Sequence, residues 1–251
     1  MSSLAILILT HNEEENIVPV VENAKKCTDE VIIIDSGSTD KTVALAKEHG
    51  AKVSFRAWTD VFSAQRNFAL DQTNADWVLY LDADERLNDE LIHEIQRIVS
   101  SGKMGEQYAI MRKSVAFGVT FSYGVLYPDH VLRMFPRESV TWVNKVHERP
   151  ECQLPAKRLP GYIEHHTYED WHEWEEKLCL YTTIWAEDAY KRGKRISMAS
   201  IFMHSLGGFF KMFVVRRGFL DGWLGSYLCC THFFYTMLKY LKLHELQRKG
   251  D

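Results

Sequence analysis

Three short apolar runs in the first third of the chain constrain its fold more than any other feature. They cover residues 4–9, 31–34 and 77–81, and none shows the polar alternation of a strand with one solvated face. Such runs are typical of central strands in a parallel sheet covered by helices on both faces. Helical patterns lie beside them at 16–27, 41–49 and 62–72. Repeated strand–helix units predict an α/β protein with a parallel, doubly wound sheet.

A polar cluster follows each predicted strand, at residues 10–13, 35–40 and 82–85. In parallel sheets ligands bind beyond the carboxyl ends of the strands, so we expect the three clusters to converge at one edge. Asp82 and Asp84, spaced i and i+2, can share a Mg²⁺ or Mn²⁺ ion, because both ions accept oxygen ligands. The alternative is an exposed acidic turn that caps the following helix.

The loop at 35–40 carries hydroxyl and carboxylate side chains that can bond a ribose or a base, and Gly37 permits a tight turn. The alternative is a simple strand-to-helix turn with an N-cap at Thr39 or Asp40. That alternative accounts for Asp40. It does not account for Asp35, which lies too early in the loop to cap the helix.

Charge is distributed unevenly along the chain. The net charge is −4, but residues 1–190 carry −12 and residues 191–251 carry +8. No zinc or helix-turn-helix signature accompanies the basic residues, so nucleic acid is not an expected partner. Five cysteines without a CxxC pair argue against a disulfide framework and favour a reducing compartment. The first apolar run lacks the basic flank and cleavage site of a signal peptide.

The last third of the chain is rich in aromatic and basic residues. Residues 171–185 place Trp, Leu and Tyr at 3–4 spacing, which predicts an amphipathic helix. Residues 205–243 mix long apolar stretches with Lys and Arg, which is typical of helices that lie on a membrane surface. The longest uncharged stretch, 222–238, has 17 residues and is marginal for spanning a bilayer. The alternative is that these helices pack on the first part of the chain or form a dimer interface.

The order of these motifs resembles family 2 of the inverting glycosyltransferases, which have the GT-A fold. The matching elements are the strands with their following loops at 8–13, 31–40 and 77–85, and the Gln-Arg-Asn of 65–67. Further elements, at 142–148, 163–168 and 218–240, are similar to a subgroup typified by lipopolysaccharide-core glucosyltransferases. Many members carry a second acidic residue where this chain has Ser36, which leaves the base-recognition contact open.

The resemblance implies roles for individual residues. The donor nucleoside is expected against four of them: Thr10, Asn12, Glu13 and Asp35. Arg66 is expected near the diphosphate or the donor sugar, because a guanidinium meets phosphate oxygens bidentately; the alternative is a surface ion pair. Asp82 is expected on the ribose and metal side, with metal ligation possible, and Asp84 as a direct ligand of Mg²⁺ or Mn²⁺.

An inverting transfer also needs a base that takes the proton of the acceptor hydroxyl. The resemblance implies an acidic residue downstream, and Glu148 is the candidate; the alternative is a loop salt bridge with Arg149 or Lys145. The resemblance also implies a His that completes the metal site. Alternate residues of a strand face opposite sides, so only one of His165 and His166 can face it, and His165 is preferred; the alternative is a packed or solvated His. Acceptor-side or supporting roles are expected for three residues: His147, His166 and Arg133.

These expectations form one hypothesis, with a GT-A catalytic domain over 1–165 and a helical region over 166–251 that is membrane-apposed or dimerising. The expected reaction is metal-dependent transfer of a hexose from a nucleotide sugar, with UDP-glucose favoured, to a glycan or glycolipid such as lipopolysaccharide core. The expected location is the cytoplasmic face of the inner membrane. A sugar nucleotidyltransferase is an alternative, but it would carry a Gly-rich basic loop after the first strand. A non-catalytic module that binds nucleotide sugars or membranes is the other.

Overall fold

The computed structural model describes residues 2–59, 61–144 and 148–250. The chain forms two compact units. The first unit comprises Met1–Arg112 and Asp129–His165, and the second comprises Lys113–Pro128 and His166–Asp251. The functional division expected at residue 165 stays a prediction.

Four parallel strands form the first half of the main sheet, in the order β3-β2-β1-β4. They are β1 (Leu4–Thr10), β2 (Glu30–Asp35), β3 (Lys52–Phe55) and β4 (Trp77–Asp82). The connecting helices are α1 (Ile17–Lys25), α2 (Thr42–Glu48) and α3 (Phe62–Leu70). The three apolar runs identified in the sequence are therefore neighbouring strands or central parts of them, as their composition predicts.

The sheet continues beyond β4 with strands that the sequence pattern predicts less well. The elements are β5 (Glu85–Leu87), α4 (Asp89–Ser101), β6 (Gln107–Ala116), β7 (Val119–Thr120), β8 (Asp129–Pro136) and β11 (Ala156–Tyr168). The order from β4 is β8-β6-β11-β5, with β7 beside β6. β8 runs antiparallel to both β4 and β6, so the sheet is mixed and not purely parallel. A separate two-stranded ribbon joins β9 (Thr141–Val143) and β10 (Arg149–Glu151).

Two apolar layers cover the parallel strands, because successive side chains of a strand point to opposite faces. Ile6 and Ile8 of β1 belong to a cluster with the buried residues of α1 and α4. Ala5 and Leu7 belong to a second cluster that includes Ala69 of α3 and four large side chains, namely Phe68, Tyr80, Phe135 and Trp142. Helices on both faces leave the ends of the strands as the accessible part of the sheet.

The second unit is built mainly from helices. They are α5 (Trp171–Lys191), α6 (Met198–Phe210) with a π-helical turn at Lys211–Val215, and α7 (Gly222–Gly250), which packs against both α5 and α6. A C-terminal helical region is thus confirmed. In the described part of the chain, one segment, Met198–Val215, is long and apolar enough to cross a membrane by length and composition, with a mean hydropathy of 1.4.

The glycine-rich segment near residue 218 has a packing reason. A Cβ on Gly218 would meet the Sγ of Cys229 at 2.3 Å, and one on Gly225 would meet the carbonyl oxygen of Gly218 at 2.4 Å. Asp221 accepts hydrogen bonds from the backbone N–H groups of Ser122 and Tyr123, at 3.2 and 2.8 Å. These contacts close the start of α7 onto the 122–124 loop of the same unit.

Candidate active site

The polar residues that follow β1, β2 and β4 lie at one edge of the sheet. The strand register pairs Thr10 with Asp35 and Leu9 with Asp82. The three clusters found in the sequence therefore start at the same level of the sheet, since parallel strands end at a common edge.

Asn12 ties the first loop to the second. Its backbone has φ of 56°, a left-handed conformation that Asn tolerates better than most residues. Its side-chain oxygen accepts a hydrogen bond from the Thr39 N–H at 2.9 Å, and its own N–H donates to the hydroxyl of Ser38 at 2.9 Å. The amide of Asn12 thus holds the shape of the loop pair.

Asp35 caps its own loop. Its carboxylate accepts from the N–H groups of Gly37 and Ser38, at 2.9 and 3.1 Å, and from the Ser38 hydroxyl at 2.5 Å. Gly37 has φ of 109°, which requires glycine. Asp40 instead accepts from the N–H of Thr42, the first residue of α2, at 2.9 Å, although the N-cap position itself is Lys41. Asp35 is therefore fixed by the turn and keeps further lone pairs for a ligand, because a carboxylate has about four acceptor sites.

A cavity of about 450 Å³ opens beside these loops. Its volume lies within the usual range of small-molecule sites. The lining residues are Leu9, Thr10, His11, Glu13, Ser36, Trp58 and Phe62. Thr10 lines this cavity, and its hydroxyl is buried and lacks a hydrogen-bond partner within the described residues.

Trp58 and Phe62 are the cavity residues that sequence reasoning missed. Their rings meet edge to face with centroids 4.6 Å apart, and both side chains are more than two-fifths exposed. Two large aromatic residues four apart, next to a polar loop, are the signal that could have identified them. Because the two planes are 69° apart, one ring can offer its face to a planar ligand while the other offers its edge.

Glu13 lies on the same side of the edge. It accepts a hydrogen bond from the side-chain amide of Asn16 at 3.0 Å, and its backbone N–H donates to the Thr42 hydroxyl at 2.8 Å. Burial raises the pKa of the Glu13 carboxyl, with a further contribution from the charge of Asp84, while Asn16 opposes the rise. A second anion near Glu13 is therefore unfavourable unless a cation accompanies it.

Asp82 is held between two arginines. It accepts from Nη2 of Arg66 at 3.1 Å through Oδ1, and from Nη2 of Arg133 at 2.6 Å through Oδ2. Burial alone would raise the pKa of Asp82, but the guanidinium groups of Arg133 and Arg66 hold it well below its usual range. Asp82 is consequently an anion whose charge is already balanced; its ribose-side role stays a prediction.

Glu85 is fully buried and pairs with the same arginine. Its Oε1 lies 2.7 Å from Nη2 of Arg133, and its Oε2 accepts from the N–H of Asp82 at 3.0 Å. Burial raises the pKa of Glu85, and Arg133 acts in the opposite direction. Glu85 therefore forms a buried ion pair with Arg133 beneath the turn. The sequence pattern of residues 82–85 indicates one polar cluster and does not predict this separate role. Arg133, expected in a supporting role, pairs with both Asp82 and Glu85.

Asp84 faces His165. Its Oδ2 lies 3.1 Å from Nε2 of His165, and β11 places His165 directly opposite Glu85 of β5. The next residue, His166, is exposed, as alternation along a strand requires. Within residues 2–59, 61–144 and 148–250, no group of three or more His, Cys, Asp or Glu side chains is arranged to hold a metal ion. Asp84 and His165 thus form a pair of possible ligands and not a complete metal site.

Arg66 links this turn to Glu148. It is buried, so it is not the surface ion pair considered from the sequence. Its Nε lies 3.7 Å from Oε1 of Glu148, and its guanidinium stacks over Trp142 at 4.6 Å. Arg149 pairs with Glu151 and leaves Glu148 to Arg66. His147 and Lys145 lie outside the described residues.

The sequence profile of glycosyl transferase family 2 matches residues 5–138, which is more than half of the chain. The chain belongs to this family. The match contains all three strand-end loops, Arg66 and Arg133, whereas Glu148 and His165 lie beyond it. The fold class expected from the sequence, an α/β GT-A domain with a C-terminal helical extension, is confirmed.

Two relatives that match nearly the whole of this chain are also named as glycosyltransferases. An uncharacterized glycosyltransferase of Rickettsia typhi is 29% identical, over 100% of this chain and 89% of the relative. A lipopolysaccharide core biosynthesis glycosyltransferase, LpsC of Rhizobium meliloti, is 25% identical, over 99% and 95%. Among solved structures, GalNAc-T7 with UDP, GalNAc and Mn²⁺ is 13% identical with a TM-score of 0.48, and the match covers 66% of this chain and 44% of GalNAc-T7.

Proposed function

We propose that this family 2 glycosyltransferase transfers a hexose, with inversion, from a nucleotide sugar to a glycan or glycolipid acceptor. UDP-glucose is the favoured donor. The observation that carries the proposal is the convergence of three strand-end loops on one edge, with Asp84, Arg66 and an open cavity. The nucleoside, the diphosphate and the sugar of such a donor each need a binding region, and the three regions must be adjacent.

The donor nucleoside occupies the cavity beside β1 and β2 in this proposal. The ring of Trp58 stacks with the base, Phe62 contacts it edge-on, and the unsatisfied hydroxyl of Thr10 gains a partner. Asp35 accepts from the ribose or the base. Arg66 has an Nη1 group that lacks a hydrogen-bond partner within the described residues, and we assign this donor to the diphosphate.

Asp84 and His165 fit one side of a Mg²⁺ or Mn²⁺ site. A carboxylate oxygen of Asp84 and Nε2 of His165 would hold the ion. The observed separation of their ligand atoms is 3.1 Å. The bound ion would supply positive charge to the leaving diphosphate, and the diphosphate and water would complete its coordination.

Glu148 is the proposed base. In the transfer, the acceptor oxygen forms a bond to the anomeric carbon while the bond from that carbon to the diphosphate oxygen breaks. The hydroxyl proton passes to Glu148, and the nucleoside diphosphate leaves with the bonding electrons. Inversion follows because the acceptor attacks the face opposite the leaving group.

The second unit suggests where the acceptor is found. It exposes many large apolar side chains, including Met198, Phe202, Met203, Phe210 and Trp223. The chain from 191 onward carries a net charge of +8. Apolar helices with basic residues bind anionic membrane surfaces. Together with the similarity to LpsC, these features support a glycolipid such as lipopolysaccharide core, used at the cytoplasmic face of the inner membrane; a homodimer through the same face is compatible with this.

Calorimetric titration of the full-length protein with UDP, with and without Mn²⁺, tests the proposal, followed by UDP-glucose and other nucleotide sugars. We expect UDP binding that requires the metal. Binding of GDP in place of UDP would keep the reaction class and change the donor. Absence of binding by every nucleotide would refute the proposal and favour a non-catalytic membrane-binding module.

A further inference from the structure

An apolar groove runs between α5 and α7 within the second unit. One cavity of about 210 Å³ and another of about 300 Å³ share four lining residues, namely Trp174, Leu178, Thr231 and Tyr235. Leu228 deepens the first cavity, and Leu238 and Leu241 extend the second. None of the described residues that line either cavity carries a carboxylate, an ammonium or a guanidinium group. We call this feature the α5–α7 groove.

Unpaired cations border the groove. The ammonium of Lys239 lies 5.2 Å from the ring centroid of Tyr235, which lines both cavities. Lys194 and Lys239 share the rings of Trp185 and Tyr240, and neither lysine forms an ion pair with a carboxylate within the described residues. Their mutual repulsion adds to burial in lowering the pKa of Lys239.

The part of the groove lined by His232 also lies near positive charge. His232 lines the first cavity, and its pKa is lowered to about 4 by burial and then by Lys239, Arg216 and Lys211. A neutral imidazole at this place leaves the groove wall apolar, while the cations around it keep a positive potential. The α5–α7 groove is therefore uncharged and lies next to ammonium groups that have no carboxylate partner in the described part of the chain.

We infer that the α5–α7 groove binds one alkyl chain of a membrane lipid whose phosphate headgroup lies against Lys239 and Lys194. The aliphatic and aromatic lining removes the chain from water, and the phosphate relieves the repulsion between the two lysines. The inference deepens the proposed membrane attachment, and rests on it for the source of the lipid. It would give that attachment a specific binding site in addition to a general apolar face.

Alkyl phosphates with 4, 8 and 12 carbons, kept below their micelle concentrations, are suitable probes for calorimetry on the full-length protein. We expect affinity to rise by up to about fourfold for each methylene that enters the groove. Lys239→Gln is expected to weaken dodecyl phosphate binding by about tenfold, and to leave the binding of a neutral dodecyl glycoside unchanged. Equal affinity for butyl and dodecyl phosphate would overturn the inference, because it would indicate a phosphate site alone.

Thr231→Trp places a large ring in both cavities, whereas Cys230→Trp adds the same ring to the exposed neighbouring position. We expect Thr231→Trp to abolish the dependence on chain length and Cys230→Trp to preserve it. An unchanged dependence on chain length in Thr231→Trp would assign the alkyl chain to the exposed apolar surface and refute the groove. UDP titration of the same samples separates this result from a failure of the proposed enzymatic function, and the wild-type chain-length series stays decisive if Thr231→Trp does not fold.

Discussion

Replacement of Arg133 by methionine tests the ion-pair network under the acidic turn. Arg133 is 5% exposed and reaches Asp82 at 2.6 Å and Glu85 at 2.7 Å with one guanidinium nitrogen. Methionine keeps much of the side-chain volume and removes the charge. Glu85 is fully buried, and the nearest remaining cation is Nη1 of Arg112 at 3.7 Å. The variant therefore has a buried carboxylate with a weak partner.

Breaking a buried ion pair in this way costs about 3–5 kcal/mol of unfolding free energy. For a protein of this size the loss corresponds to a melting temperature lower by on the order of 10 °C.

The loss of unfolding free energy should depend on pH. In the wild type the folded pKa of Asp82 is below its unfolded value, so Asp82 contributes stability above about pH 4 that is lost as pH falls. In the variant that contribution is reduced, and the pKa of Glu85 rises further.

Burial raises the pKa of Glu85, and its protonation removes the burial penalty, so the difference in unfolding free energy between wild type and variant should be larger at an assay pH of about 7.5 than at about 5. Urea unfolding followed by circular dichroism at both values measures the difference. Arg112→Met is the matched control, with an expected loss below about 1 kcal/mol because Arg112 is more exposed. Adding Glu85→Leu to Arg133→Met should recover much of the loss. Equal losses for the two arginine variants, or a loss that is the same at both pH values, would refute this account.

Three further predictions concern the reaction itself. Asp84→Ala should abolish the effect of Mn²⁺ on UDP affinity in calorimetry, and unchanged metal dependence would remove Asp84 from the metal site. Glu148→Gln should retain donor binding and lower turnover by about 10²–10⁴-fold, which is the usual contribution of a general base. Near-normal turnover would exclude Glu148 as the base. Trp58→Ala should weaken UDP binding by about tenfold, from a stacking contribution of about 1–3 kcal/mol per base, with no change in the response to Mn²⁺.

The parallel half of the sheet could be predicted from the sequence because its signals are local. A run such as 77–81 is apolar throughout, and its carboxyl end is marked by the acidic turn that follows. Strand ends in a parallel sheet share an edge, so the placement of Thr10, Asp35 and Asp82 together follows from topology. No side-chain geometry was needed for that inference.

The partners of the acidic turn could not be predicted in the same way. Arg133 lies 51 positions after Asp82 and reaches it because β8 inserts antiparallel beside β4. Hydrophobic periodicity gives neither the neighbour nor the direction of the strand that carries Arg133. The same limit applies to Trp58 and Phe62, whose place in the cavity depends on where β3 and α3 begin and end.

The charge balance at this edge bears on why a metal would be needed. Asp82 already has two arginines, and Arg133 is shared with Glu85. Arg66 is divided between Asp82 and Glu148, and offers a diphosphate mainly its remaining Nη1 group. A nucleoside diphosphate would bring more negative charge to a place where Glu13 and Asp84 already repel each other. The arginines are largely neutralised by carboxylates, so we expect tight donor binding to require a divalent cation at Asp84.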